Sequence, residues 1–592
     1  MRDRRQSPKL MRALLSENPE RKRGERAAAA ALFSHSRPDP LLFLLLLSCA
    51  LFIAYPLLLV FWRALYLEGR PGLSALPALF LREKSSLFHS FYTASLSALF
   101  STALGFLLSL RISSSGRRGR NILLLLLMMS LVSPPFLSSL SYIQLYGRRG
   151  LITWHLFRIS YDPYNKWGII AMQTLHFSSL NALFLLDYLE SLDGKWMDAA
   201  RDLGAGSMAV LRTLLLPLLS PALLASFGLS FLRSLSDFGT PAVIGGRYDT
   251  LASDIYLQII GYGKMEKAAA MNLFLMLPAF LAFLLYRRAV REGERRNGNG
   301  RGREDFDMRR LSLPALFLSF LSILSLLYFT VLSLQYLCIF LLGFLKAERG
   351  VYHFTSEYLS RLFRYDLSSL FLSLRLSLAA ALFGALFGLL LSYYMERRLR
   401  FGKNALDFLI SLPYLLPGTC FGLAYIMAFH KEPLKLTGTS LILVLNLIFR
   451  QLPVVIRMGS TALLEISREL ENAARDLGAS KRRLLFDIIL PQLSRPFRSA
   501  FLYLFTSSMC SAGAVIFLID AGHKIAVYTL FDLINSGEYG TASLLSALMI
   551  LSTVLLSALL SALFRCFCER RGKGRRGNEG SDRESSRTVH AL

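Results

Sequence analysis

The sequence predicts an all-α integral membrane protein of about twelve transmembrane helices, arranged as two homologous six-helix halves. Three observations carry this reading. Of 592 residues, 53% are hydrophobic and only 18% are charged, against about 25% charged in an average soluble domain. The apolar residues gather into runs of about 20, the length that crosses a hydrocarbon core as a helix. Finally, a patterned stretch of sequence returns after 274 residues. The same composition excludes a chain disordered in bulk, and six scattered cysteines in so long a chain exclude a small disulfide scaffold.

Runs long enough to span lie at 41–66, 91–110, 121–145, 167–189, 218–244 and 268–286, and again at 311–345, 367–394, 406–429, 441–464, 497–519 and 542–567. Two of them contain breakers, Pro134-Pro135 in the third and Pro413 to Gly418 in the ninth. Broken helices are tolerated in membranes where they line a cavity. The chain then divides into a basic tail (1–39), a first half (40–286), an Arg-rich linker (287–310), a second half (311–567) and a second basic tail (568–592). Both tails are read as irregular because they are polar, charged and rich in glycine or serine.

Formal net charge is +27, and its placement gives an orientation. Ten Lys and Arg lie in the N-terminal tail, nine Arg in the linker and eight Lys and Arg from Arg565 onward. Twelve spans put all three clusters on one side, and cytoplasmic loops are the ones enriched in Lys and Arg. Both termini are therefore expected in the cytoplasm. The first apolar run follows a polar tail too long for an ordinary signal peptide. Contact with anionic lipid accounts for the tails better than nucleic acid does, since they lack interleaved aromatics.

The repeat is specific. Asp198-Ala199-Ala200-Arg201-Asp202-Leu203-Gly204-Ala205 returns as Asn472-Ala473-Ala474-Arg475-Asp476-Leu477-Gly478-Ala479, and the shift of 274 persists from Leu216-Pro217 to Leu490-Pro491 and from Gly239 to Gly513. Each copy lies between the fourth and fifth spans of its half, on the cytoplasmic side. Ala-Ala followed by charged residues makes a short smooth helix, and Gly204 or Gly478 ends it. A basic amphipathic stretch (Arg212; Lys481, Arg482 and Arg483) then leads into a span opened by Pro217 or Pro491. A short exposed helix anchored at a membrane surface has the shape of a docking element. Halves with parallel topology are related by an axis along the membrane normal, which places a shared pathway between them.

This spacing resembles the EAA loop of type I ABC importer permeases, the binding-protein-dependent inner-membrane components. Asp198 and Asn472 stand where that family has its first Glu. The stretches 138–150, 234–246 and 412–429 are similar to those of fused, double-length permeases of the ferric iron type. The resemblance implies that each loop is a coupling helix seated in an ATP-binding subunit, so that two copies of that subunit, binding ATP and Mg, are partners. It also implies an extracytoplasmic substrate-binding protein, a location in the cell inner membrane, and ferric iron as first choice of cargo, with thiamine, polyamine and phosphonate permeases built alike. Asn472 can hydrogen-bond but cannot ion-pair, which raises the question of whether Glu471 substitutes for it.

The chain itself carries no G-x-x-x-x-G-K-[ST] phosphate loop, no H-E-x-x-H and no paired CxxC. It is therefore expected to be neither the ATPase nor any other enzyme, and to hold no cofactor or metal. Charged residues inside spans are costly and mark functional candidates. Asp237 and Arg233, four residues apart, form either a polar site on the path or an i,i+4 ion pair. Arg375 and Arg450 snorkel or face a cavity. Tyr142 and Tyr425, related by a shift of 283, are candidates for the path, while His176 and His430 read as interfacial. A secondary transporter of the major-facilitator kind also has two six-helix halves, but the position of the repeated motif disfavours it.

Overall fold

The computed structural model describes residues 39–589, apart from 68–69, 72–74, 135, 160–161, 298–305, 307, 312, 349–350, 366, 400–401, 481–482 and 521. The N-terminal tail up to residue 38 lies outside the described residues, as do Lys481 and Arg482. The chain divides after Ala50 into two compact units. In the first, Asp39 starts the helix Pro40–Cys49 by accepting the Leu41 N–H at 3.3 Å.

Among the described residues, nine helices are long and apolar enough to cross a membrane: Pro40–Ala64, Leu76–Ser113, Lys166–Glu190, Ser207–Leu235, Met265–Gly293, Ala315–Leu342, Leu367–Arg397, Ser440–Glu465 and Tyr539–Arg565. Two helix pairs bent by 104°, Arg117–Val132 with Leu137–Leu156 and Lys403–Tyr414 with Gly418–Phe429, bring the candidate spans to as many as eleven among the described residues. The bends fall at the breakers read from the sequence. The expected span 497–519 is not one continuous helix. Its helix, Ser494–Met509, has only 16 residues. The small and polar residues from Cys510 to Gly513 end it where an uninterrupted span had been expected.

Three further departures concern the edges. The sixth span continues as helix to Asn297, into what was read as linker. Beyond it, Phe306, Met308, Leu311 and Leu313 are buried with Leu110, Leu189, Met197 and Leu211. These apolar residues, spaced between the arginines, make this part of the linker a packed element. The last helix is assigned to Val589, through residues expected to be irregular, because a helix once nucleated is propagated at little cost per residue. Two antiparallel hairpins, Tyr66–Leu67 with Arg70–Pro71 and Leu345–Glu348 with Val351–Phe354, follow the first span of each half; their runs are too short to register as strands in sequence.

In each half the second span packs against the fourth and the fifth. In the first half the contact is polar: Asn181 Nδ2 donates to Ser101 Oγ at 3.1 Å and to Ser230 Oγ at 2.8 Å, and Ser230 Oγ donates back to Asn181 Oδ1 at 3.0 Å. A shift of 274 places Val455 at the equivalent position in the second half. The first spans are exchanged between halves. Tyr55–Ala64 packs on Gly418–Phe429, and Ala315–Leu342 packs on Leu137–Tyr146 and on the second span of the first half. Tyr425 Oη donates to the Phe52 carbonyl at 2.9 Å, and the hydroxyls of Tyr328 and Ser179 share a hydrogen bond of 2.6 Å.

Removing the buried Asn181 hub by Asn181→Ala leaves two serine hydroxyls without their partner. The expected cost is about 1–2 kcal/mol, read as a lower unfolding temperature of the purified protein in detergent. An unchanged unfolding temperature would show that the hub contributes nothing to stability.

Candidate functional site

The two repeated loops fold alike. The first is the helix Lys195–Asp202 and the second Arg468–Asp476. In both, a glycine in left-handed conformation closes the helix, Gly204 at φ +76° and Gly478 at φ +80°. Gly204 N–H donates to the Arg201 carbonyl at 2.8 Å and Ala205 N–H to Ala200 at 3.0 Å; Gly478 and Ala479 repeat this with Arg475 and Ala474 at 2.9 and 3.0 Å. These paired bonds form a Schellman cap, which satisfies the last carbonyls and turns the chain sharply. Nothing lies within 4 Å of where a Cβ would stand on either glycine, so backbone conformation alone demands it.

The turn leaves one leucine at each tip in solvent, Leu203 at 87% and Leu477 at 90% exposure. Trp196 and Leu470 are exposed beside them. Sequence reasoning passed over these residues, although a large apolar side chain next to a helix-ending glycine was a readable signal. Ala199, Ala473 and Asn472 are exposed, whereas Asp198 and Ala200 are partly buried and Ala474 is buried. Leu216-Pro217 and Leu490-Pro491 each follow one π-helical turn, Val210–Leu215 and Leu484–Ile489. The widened turn accommodates a proline that brings no N–H and whose ring crowds the preceding turn.

The undersides of the two helices differ. Met197 sits in the apolar cluster that the linker completes. Its equivalent by the 274 shift is Glu471, whose carboxylate meets Arg397 Nε at 3.0 Å with the side chains only 4% and 7% exposed. Arg397 Nη2 also donates to the carbonyls of Leu463 and Ile466 at 2.6 and 2.7 Å. Glu471 therefore does not replace Asn472 on the exposed face. It points inward and anchors the helix to the end of the second half's second span.

The intramembrane candidates are placed differently from the sequence reading. Asp237 Oδ1 accepts the N–H groups of Gly239 and Thr240 at 3.0 and 3.1 Å, and Oδ2 accepts from Gln173 Nε2 at 2.9 Å. Among the described residues it makes no ion pair with Arg233: a carboxylate two residues before a new helix is better placed to cap it. Tyr142 and Tyr425 are buried at the two bends, with hydroxyls donated to the carbonyls of Pro163 and Phe52 at 2.9 Å each. They brace the bends and do not line an open path. His176 lies inside the fourth span, where it interacts electrostatically with Arg233 and Asp237, and not at a membrane end. Arg375 is exposed.

Five aromatic rings from both halves meet near the bends. Phe238 lies 5.1 Å from Tyr256, 6.1 Å from Phe136 and from Phe531, and 6.2 Å from Phe517, centroid to centroid. A separate groove, lined by Ser220, Pro221, Leu224, Arg288 and Arg291, opens lower on the fifth span. Ser220 is thirteen residues, about 20 Å of helix, from Arg233, so this groove is remote from the central charges.

Two six-helix halves, exchanged first spans and a matched pair of glycine-capped surface helices define an architecture that can be compared with known proteins. The model of the binding-protein-dependent transport system inner membrane component family matches residues 101–292 and 362–572. The chain belongs to this family. Its relatives include the ferric transport system permease protein FbpB of Actinobacillus pleuropneumoniae, 27% identical over 78% of this chain and 68% of its own length. The putative ferric transport system permease protein FbpB 1 of Haemophilus influenzae is 29% identical over 80% and 77%. The sulfate transport system permease protein CysT of Escherichia coli is 29% identical over 29% of this chain and 68% of its own. This is a fused, multi-pass inner-membrane ABC importer permease, a transport subunit. Nothing in these matches favours a major-facilitator transporter.

The difference beneath the two surface helices generates a test. Arg397→Met leaves the buried Glu471 with only the half-exposed Arg475, 3.4 Å away and one helical turn on, and is expected to destabilise the permease by about 1–3 kcal/mol. Adding Glu471→Met, the residue type that the first half already uses at Met197, is expected to recover most of that loss. The unfolding temperatures of the single and double variants decide it, and a double variant no more stable than Arg397→Met would disprove the anchoring role.

Proposed function

We propose that this permease forms the translocation path of an ATP-driven importer, with cargo handed over by an extracytoplasmic binding protein and two copies of an ATP-binding subunit docked on its two surface helices. The observation that carries this reading is the pair of exposed, Schellman-capped helices with Leu203 and Leu477 at their tips. A large apolar residue held in solvent on a rigid turn is suited to a cleft on a partner. ATP and Mg belong to that partner. With the short helix Ser494–Met509 and the segment after it counted as the twelfth crossing, the basic tails and linker orient the chain with both termini in the cytoplasm.

Ferric iron is the proposed cargo, because relatives named for ferric transport align over about four fifths of the chain. In this conformation the rings of Phe136, Phe238, Tyr256, Phe517 and Phe531 close the path between the halves. ATP-driven approach of the two docked subunits moves the surface helices together, and the lever arms of the fourth and fifth spans separate the rings. Access alternates because the chain is rigid at the helices and breakable at the aromatic contact.

Two experiments test the proposal. Leu203→Asp with Leu477→Asp is expected to abolish co-purification of the ATP-binding subunit while leaving insertion into the membrane intact; retention of the subunit would rule out docking at the tips. Gly204→Val with Gly478→Val forces a β-branched residue into left-handed backbone, at about 1–2 kcal/mol or more per site. Iron uptake should be lost and ATP hydrolysis should no longer follow cargo supply. Uptake at the normal rate in the double variant would overturn the coupling role of the loops.

A further inference from the structure

Two arginines, Arg233 and Arg450, lie within apolar helices, and among the described residues neither makes an ion pair with a carboxylate. Arg450, from the tenth crossing, lies against the second half's bend and the loop after its short fifth helix. A Cβ on Gly418 would stand 2.6 Å from its Nη1 and 2.8 Å from its Nη2, and a Cβ on Gly513 3.5 Å from both. Gly418 therefore makes room for the guanidinium, while a Cβ on Gly513 would make only ordinary contact with it. Nη1 is buried and has no hydrogen-bond partner among the described residues. Arg233, from the first half's fifth span, is close enough to act on Arg450 electrostatically, and the two charges repel.

The surroundings are polar and come from both halves. The 274 shift relates Arg450 to His176 and Arg233 to Ser507, so the four residues occupy two pairs of equivalent positions about the axis between the halves. His176 feels the Arg233 charge. Tyr503 feels both arginines, bonds with Ser507, and donates its hydroxyl to Gln451 Oε1 at 3.1 Å. The carboxylate nearest by sequence, Asp237, has both oxygens taken up by Gln173 and the backbone of Gly239 and Thr240.

An unneutralised guanidinium in hydrocarbon is costly, and such residues occur where they meet a partner in a path or cavity. The orphan Nη1 of Arg450, set against Gly418 and Gly513 and within electrostatic reach of Arg233, belongs to a guanidinium whose forked donor geometry matches carboxylate or phosphate oxygens. We propose that Arg233 and Arg450, with His176 and Tyr503, form an anion-binding site on the translocation path, so that cargo crosses as an oxygen-bearing anion. A bare ferric ion, with three positive charges, is repelled by this site, whereas a ferric ion wrapped in an anionic carboxylate or phosphate shell is attracted. The proposal rests on the reading of this chain as the path of an importer and narrows the form of its substrate.

The test uses the permease purified with its ATP-binding subunit, in detergent for binding and in liposomes with the binding protein for uptake. Radiolabelled sulfate, phosphate, citrate and ferric citrate are the probes, the first two reporting free oxyanions and the last two a carboxylate chelate. Saturable binding of at least one probe is expected. Arg450→Gln and Arg233→Gln should each weaken it about tenfold or more, the scale of one lost charge-assisted contact, while the Lys variants retain a larger share. Arg375→Gln, on an exposed position of the eighth span, serves as the charge-loss control and should bind as the unaltered protein does. Elution as an intact complex separates loss of binding from misfolding. Equal binding by the Gln variants, an equal loss in Arg375→Gln, or uptake of iron at the full rate with no chelating anion present each overturns the site. Anion binding that depends on both arginines, without uptake of iron in any form, upholds the site and sinks the iron reading alone.

Discussion

Inside hydrocarbon there is no water to satisfy a backbone N–H or C=O, and each one left unmet costs several kcal/mol. Most of this structure is an answer to that constraint. Long helices meet it by themselves; interruptions meet it only where another element supplies the missing partner. Asp237 offers its carboxylate to Gly239 and Thr240 where the fifth span ends. Tyr142 and Tyr425 give their hydroxyls to carbonyls of neighbouring segments where the third and ninth crossings bend. The π-helical turns ahead of Pro217 and Pro491 rearrange the ladder around residues that cannot donate.

The two halves share geometry without sharing chemistry. Asn181 holds three spans together through hydrogen bonds, and Val455 does so through apolar contact at the equivalent place. Met197 seats one surface helix in an apolar cluster and Glu471 seats the other through an ion pair. A fold repeated in one chain is free to diverge in this way, because each local solution has only to keep its own helices in register. The exposed surfaces diverge less: the capping glycine and the adjacent leucine are the same in both halves, as expected for elements that face outward to like partners.

The features legible in the sequence are those with a period or a spacing. Runs of apolar residues located the nine long apolar helices among the described residues, and the 274-residue repeat located both surface helices with their capping glycines, because length and left-handed backbone leave direct marks on composition. Contacts between distant segments leave no such mark. Asp237 was read against Arg233 because four residues is one helical turn, yet the helix stops at Leu235 and the carboxylate turns to the next helix. The linker read as loose because its arginines are conspicuous; Phe306, Met308 and Leu311 among them carry the packing. Arg450 and His176 lie in different spans, and only the repeat shift, applied once the helices are in place, shows them to be one position used twice.

The exchanged first spans bear on how the protein is made. A chain emerging N-terminus first completes its first six crossings while Tyr55–Ala64 still lacks its seat, the helix Gly418–Phe429, and while the bend at Leu137 lacks its cover, the helix Ala315–Leu342. Each first span also packs within its own half, Tyr55–Ala64 on Met265–Asn297 and Ala315–Leu342 on Tyr539–Val589, so it is the exchanged part of each contact that awaits the other half. The nascent first half must wait with an unfilled lateral seam, and the next crossing to be synthesised is the one that fills it. Fusion of the halves makes that encounter a matter of seconds and of one molecule, where separate subunits would have to find each other in the plane of the membrane.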